Sequence, residues 1–234
     1  MIRDITVHVQ GTSAGELRLA YAFDLAERQR ARLTAVHVAA PGRAGGRERA
    51  VAGTLFAGAA HERLTPARFV AEEGELVEAL ARAARFSDLL ILGDGDRGAP
   101  PGELARAVAA RAGVPVLVVP DETTSFGPSR RALLVWSGGP GAVRAIHDAI
   151  PLLASTNMRV ELALVGQESW ETKDALIDHL ARHRVAVESP AHVLAATNGL
   201  ASRLAAGDFD LLVMQAGAPW TAPSSAQTPT LIAS

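Results

Sequence analysis

The sequence predicts an α/β protein built from two tandem units, each a mainly parallel five-stranded sheet with helices on both faces. Two observations predict it. Short apolar runs alternate with helical patterns through the first half, and the same order of elements restarts after residue 130. The 234-residue chain is long enough for one large domain or two small ones.

The elements follow in order. ITVHV (5–9) reads as a strand, and Ser13-x-x-Glu16 has the spacing of a capping box that opens a helix to about Gln29. LTAVHV (33–38) is the second strand. A Gly/Arg loop and a weaker helix near 47–63 lead to a third, ARFVAEE (67–73). Leu76, Val77, Leu80 and Ala84 line one face of a helix. DLLILG (88–93) and VPVLVVP (114–120) are strands flanking a loop and a helix at about 102–112. The polar, turn-rich DETTSFGPSR (121–130) reads as a linker, giving units 1–120 and 131–234.

The second unit begins with the strand and turn RALLVWSGG (131–139). Pro140 suits a first helical turn, and Val143, Ile146, Ile150 and Leu153 form a helical stripe. RVELALV (159–165) is a strand. Gln10 falls on Ser137 and Val38 on Val165, an offset of 127 (137 − 10). Asp88-Leu89-Leu90 matches Asp210-Leu211-Leu212, and Pro115 matches Pro229. QAGAPWTAPSSAQ (215–227) carries no helical stripe, so the helix before the last strand, TPTLIAS (228–234), is expected to be missing. Trp220 there would cover the gap or line a pocket, and Trp136 would point into the core or between the units.

Composition removes several chemistries. The only lysine, Lys173, follows no Gly-rich turn, so no Walker-type phosphate loop is available. There is no cysteine, hence no thiolate nucleophile, disulfide or Cys-ligated metal. A formal net charge of −2 gives no reason to expect nucleic acid, and no basic block points to a membrane surface. Met1-Ile2-Arg3 runs straight into the first strand and no apolar run approaches membrane length. The expectation is a cytoplasmic protein without a signal peptide.

Gly93-x-Gly95-x-x-Gly98 has the spacing of a dinucleotide fingerprint. That fingerprint belongs to the first strand-helix turn of its unit, and here it follows the fourth strand. Asp94 and Asp96 place negative charge where a pyrophosphate would lie, and Asp121 reads as the start of the linker. His179-x-x-x-His183 has metal-site spacing but no third ligand, and reads as a solvated helix face with no metal. Val135-x-Ser137-x-Gly139 lacks the first glycine of a nucleophile elbow, and His147 and Asp148 point apart on a helix. No catalytic residue is assigned.

The ordered motifs ITVHVQGTSAGELRLAYAFDLAERQRARLTAVHV, ARFSDLLILG, GVPVLVVP, ALLVWSGGPGAVRAIHDAIPLL and DFDLLVM together resemble the universal stress protein family in its tandem form. The resemblance covers nearly the whole chain. It implies Rossmann-like domains of the adenine nucleotide alpha hydrolase type. It also implies pairing of the two halves through their last strands, with Pro115, Val116, Leu117, Val118, Val119 and Leu231 at that edge. It leaves a homodimer open as well.

Nucleotide-binding members hold ATP at the carboxyl ends of the strands. The positions implied here are Gln10, Gly11, His37, Val38, Gly93, Gly95 and Gly98, with Ser137, Gly138 and Val165 in the second half. Gln10 and Ser137 stand where the family has aspartate. Val108-Ala109 stands where its phosphate loop has Gly-Ser/Thr, and Gly217-Ala-Pro219 replaces the loop in the second half. The resemblance therefore implies a non-catalytic stress-response or small-ligand module without a cofactor, the alternative being an ATP- or AMP-binding protein with slow hydrolysis.

Overall fold

A computed structural model describes residues 1–39, 43–61, 63–94, 102–123, 126, 131–193, 197–216 and 228–233. The chain divides into two compact units, Met1–Gly127 and Pro128–Ser234. Unit 1 runs β1 (Asp4–His8), α1 (Ser13–Gln29), β2 (Arg32–Ala39), α2 (Arg43–Ala60), β3 (Ala67–Glu73), α3 (Leu76–Ala84), β4 (Leu89–Gly93), α4 (Glu103–Ala112) and β5 (Val116–Val119). Its strands lie parallel in the order β3-β2-β1-β4-β5. α1 packs with α2, and α3 with α4. Right-handed crossovers place the two pairs on opposite faces.

Unit 2 runs β6 (Arg131–Trp136), α5 (Pro140–Thr156), β7 (Arg159–Leu164), α6 (Gln167–Arg182), β8 (Ala186–Val193), α7 (Thr197–Ala206), β9 (Leu211–Gln215) and β10 (Thr230–Ala233). The order β10-β9-β6-β7-β8 repeats the topology of unit 1, again parallel. The predicted α/β class with parallel five-stranded sheets is the one observed. The predicted helix loss and Trp220 fall at 217–227, outside the described residues.

The repeat seen in the sequence has a structural content. Asp88 Oδ2 accepts the amide of Asp4 at 3.0 Å, and the Asp88 amide donates to the Asp4 carbonyl at 2.8 Å. Asp210 makes the same pair of bonds to Arg131, at 3.0 and 2.9 Å. Each aspartate thus ties the start of one strand to the start of its neighbour. The carbonyls of Pro115 and Pro229 accept from Leu90 and Leu212 in the same way. Helices α1 and α5 both end in a left-handed residue, Arg30 at φ 55° and Asn157 at φ 56°, which again stand 127 positions apart (157 − 30).

Strand β1 alternates apolar and polar residues, yet Ile5, Thr6, Val7 and His8 are all buried. A parallel sheet covered on both faces leaves no solvent side for the polar set. The hydroxyl of Thr6 is satisfied by Ser87 Oγ at 2.7 Å. The N-cap of α1 is Thr12 rather than Ser13: its Oγ1 accepts from the Gly15 amide at 3.1 Å. In unit 2, buried Glu161 of β7 is held by Arg131 and Arg203, and both arginines also lie over the Phe209 ring. β5 and β10, the strands named as pairing edges, each close the strand order of their own unit and are buried throughout. Among the described residues, no helix is long and apolar enough to cross a membrane.

Candidate functional site

In unit 1 the chain leaves β1 through Val9 and turns at Gln10-Gly11 into α1. Gly15 permits that turn: a Cβ there would lie 2.1 Å from the Gln10 carbonyl oxygen. α2 packs over the turn, since a Cβ on Gly11 would come within 3.0 Å of Val51. These elements enclose a cavity of about 560 Å³ at the carboxyl ends of β1 and β2. Its walls are His8, Gln10, Gly11, Thr12, His37, Val38 and Glu48. Four of the seven first-half residues named from the sequence, Gln10, Gly11, His37 and Val38, therefore come together around one space.

His37 gives that space its polar character. The ring is 2% exposed, and Nδ1 lies 2.9 Å from the Val9 carbonyl oxygen, which can only accept. Nδ1 therefore carries a proton, and in the tautomer that this bond selects Nε2 is the lone-pair nitrogen. Nε2 is buried without a hydrogen-bonding partner among the described residues. A buried polar atom left so costs about 1–3 kcal/mol.

Gly93 lies elsewhere. It ends β4, and its Cα faces the guanidinium of Arg18; a Cβ there would stand 1.6 Å from Nη2. Arg18, on α1, is 2% exposed. It donates from Nη1 to the His8 carbonyl at 3.1 Å and from Nη2 to Asp121 Oδ1 at 3.3 Å. The crevice between β1 and β4 is where the strand order reverses, the usual place for a ligand in a parallel α/β sheet. Here a guanidinium occupies it. Asp121, read as a linker residue, is its counter-ion. Asp94 also crowds this end: burial, and then the Asp121 charge, push its carboxyl above the usual range. Gly95 and Gly98 lie outside the described residues, and Val108 is fully buried in α4.

The second-half positions do not repeat the arrangement. Ser137, Gly138 and Val165 sit at the carboxyl ends of β6 and β7, with the Val165 amide donating to the Trp136 carbonyl at 2.9 Å. Gly138 has φ +83°, and a Cβ on it would meet Glu168 Cγ at 2.5 Å. The first turn of α6 thus fills the space above the turn. Among the described residues, no hydrogen bond joins Ser137 to a histidine. Asp148 turns to Arg144 at 3.6 Å, and burial holds its carboxyl above the usual range. No motif or spacing marks Arg18 as a site residue, or His147 as a third imidazole beside His179 and His183. The ring centroids of His147 and His179 lie 5.2 Å apart, and those of His179 and His183 lie 4.7 Å apart.

Residues 1–120 match the model of the universal stress protein family, over half of the chain. The chain belongs to the universal stress protein family. A universal stress protein from Archaeoglobus fulgidus DSM 4304 has the same fold, with TM-score 0.78 at 12% identity, covering 98% of this chain and 97% of that one. A universal stress protein from Pseudomonas aeruginosa UCBPP-PA14 aligns with TM-score 0.61 at 14% identity, over 99% of this chain and 93% of the other. At these identities the likeness is one of fold. Comparison with curated proteins gives no match. Within this universal stress protein, the family model covers the unit that carries the Gln10–His37 cavity.

Proposed function

We propose that this universal stress protein is a non-catalytic small-ligand module. Its site is the cavity of unit 1 at the carboxyl ends of β1 and β2. The observation that carries the reading is His37 Nε2, buried and without a hydrogen-bonding partner among the described residues, in the wall of a polar space of about 560 Å³. A ligand that donates a hydrogen bond there offsets the cost of burying that nitrogen. Gln10 adds an amide, which can donate and accept, and Glu48 adds a carboxylate at the rim. Neither favours a phosphate chain. The crevice where such a chain would run holds Arg18 with its counter-ion Asp121.

A second reading has one observation in its favour. The same Arg18 is a cation at the point where the strand order reverses, and a phosphate could take the place of Asp121. That would be an adenine-nucleotide-binding protein, holding ATP or AMP, with at most slow hydrolysis.

Mass spectrometry of the purified protein after denaturation separates the two. Under the first reading, no ATP, ADP or AMP is released and millimolar Mg-ATP leaves the melting temperature unchanged. Released nucleotide, or a rise with Mg-ATP that disappears in Arg18→Met, would establish the second. Any non-nucleotide ligand recovered should be lost from His37→Phe.

A further inference from the structure

Unit 2 has a cavity of its own, which takes in Gly138 of the β6–α5 turn but neither Ser137 nor Val165. It lies between α5 and α6 beside the end of β6, with a volume of about 280 Å³. Trp136, Val143, Ile146 and Leu176 give it apolar walls, and His147 and His179 face it from the two helices. Its indole is already satisfied: Trp136 Nε1 donates to Thr172 Oγ1 at 3.0 Å, and that hydroxyl donates to the Glu168 carbonyl at 2.7 Å.

His179 is different. Its Nε2 is buried and has no hydrogen-bonding partner among the described residues. Its ring stands between those of His147 and His183. Burial, and then the charges of His183, His147 and Arg182, hold it below the usual imidazole range, so the ring is neutral near pH 7. A neutral imidazole donates at one nitrogen and accepts at the other. Among the described residues, no three His, Cys, Asp or Glu side chains converge to hold a metal ion.

We propose that this cavity binds a small planar aromatic molecule carrying one hydroxyl group, with the hydroxyl on His179 Nε2. The apolar walls match a ring. Among the described residues of the wall, His179 Nε2 is the buried side-chain atom left without a partner, which matches one polar group on the ligand, and a hydroxyl can donate or accept, so it suits either tautomer of His179. The volume is near the low end of ligand pockets, roughly 300–1,000 Å³, which suits one or two fused rings. Among the described residues no arginine or lysine lines the space, so these walls offer no cation to a carboxylate or phosphate.

The test uses the full chain with 2-naphthol and naphthalene, followed by NMR of the Trp136 indole N–H and the His179 ring. The proposal expects saturable shifts at both residues with 2-naphthol. It expects binding about tenfold weaker for naphthalene, as one hydrogen bond would give. His179→Phe keeps a flat ring without the polar nitrogen and should abolish that preference while still admitting naphthalene. Ala175→Phe, at an exposed position on the cavity wall, should exclude both compounds without loss of cooperative melting. Absence of saturable shifts would overturn the proposal. So would equal affinity for the two compounds, a preference surviving in His179→Phe, or shifts confined to the Gln10–His37 cavity.

Discussion

Arg18 Nη2 lies where a Cβ on Gly93 would have to be, 1.6 Å from its ideal position. The glycine at the end of β4 is therefore a seat for a buried guanidinium. Gly93→Ala must push Arg18 off its bonds to the His8 carbonyl and Asp121. The expected loss is about 1–3 kcal/mol, the usual cost of overpacking a core. In an Arg18→Ala background the same change should cost less than about 1 kcal/mol, because contacting sites are not additive. A urea double-mutant cycle measures the difference; additive costs would show that the two residues do not meet.

The paired aspartates offer a check on the repeat. Asp88→Ala and Asp210→Ala each leave a strand-opening amide without its carboxylate acceptor. Each should lose about 1–2 kcal/mol. Asparagine keeps an acceptor oxygen, so Asp88→Asn and Asp210→Asn should recover most of that loss in chemical denaturation.

Glu161 carries the largest expected single effect. Its side chain is 4% exposed and joins Arg131 and Arg203. Glu161→Gln leaves Arg203 facing an uncharged partner, while Arg131 keeps Glu188 at 3.0 Å. The expected cost is about 3 kcal/mol, at the lower end for a broken buried pair because both arginines reach water. A smaller loss at high salt would mark the contribution as electrostatic.

The imidazole row predicts a pH dependence. The folded His179 takes its proton at lower pH than the unfolded chain does. Between those two values the unfolded state binds more protons, so stability rises with pH across that interval. Lowering the pH from 7 toward 5 should therefore lower the unfolding free energy, and His179→Phe should flatten that part of the curve. Asp94 acts in the opposite direction, since its raised carboxyl favours the protonated form in the folded state. Asp94→Asn should accordingly raise the melting temperature at pH 7. Thermal melts across the pH range test both.

Much of the fold was legible because its signals are local. The strand ARFVAEE occupies the predicted residues, and the helix expected at 102–112 begins one residue later, at Glu103. Asp88/Asp210 and Pro115/Pro229 are legible as repeated letters because each pair makes the same strand-opening bonds. The capping box misplaced the N-cap by one residue, because Thr12 and Ser13 offer the same hydroxyl and only backbone conformation separates them. The Gln10–His37 cavity was legible through the family pattern of strand ends, where sequence order and position in space coincide.

By itself, the sequence determined the α/β class, the two-unit repeat and the turn that carries Gln10 and Gly11, since periodicity and turn chemistry act over a few residues. Tertiary structure alone decided that Arg18 would meet Asp121, 103 positions away, and take the crevice beside Gly93. It also decided that His147 of α5 would join His179 and His183 of α6 in one row. Such contacts depend on how strands order and helices cross, and no spacing along the chain encodes them. A fingerprint of three glycines therefore says little about a phosphate until the side chain packed against the first of them is known.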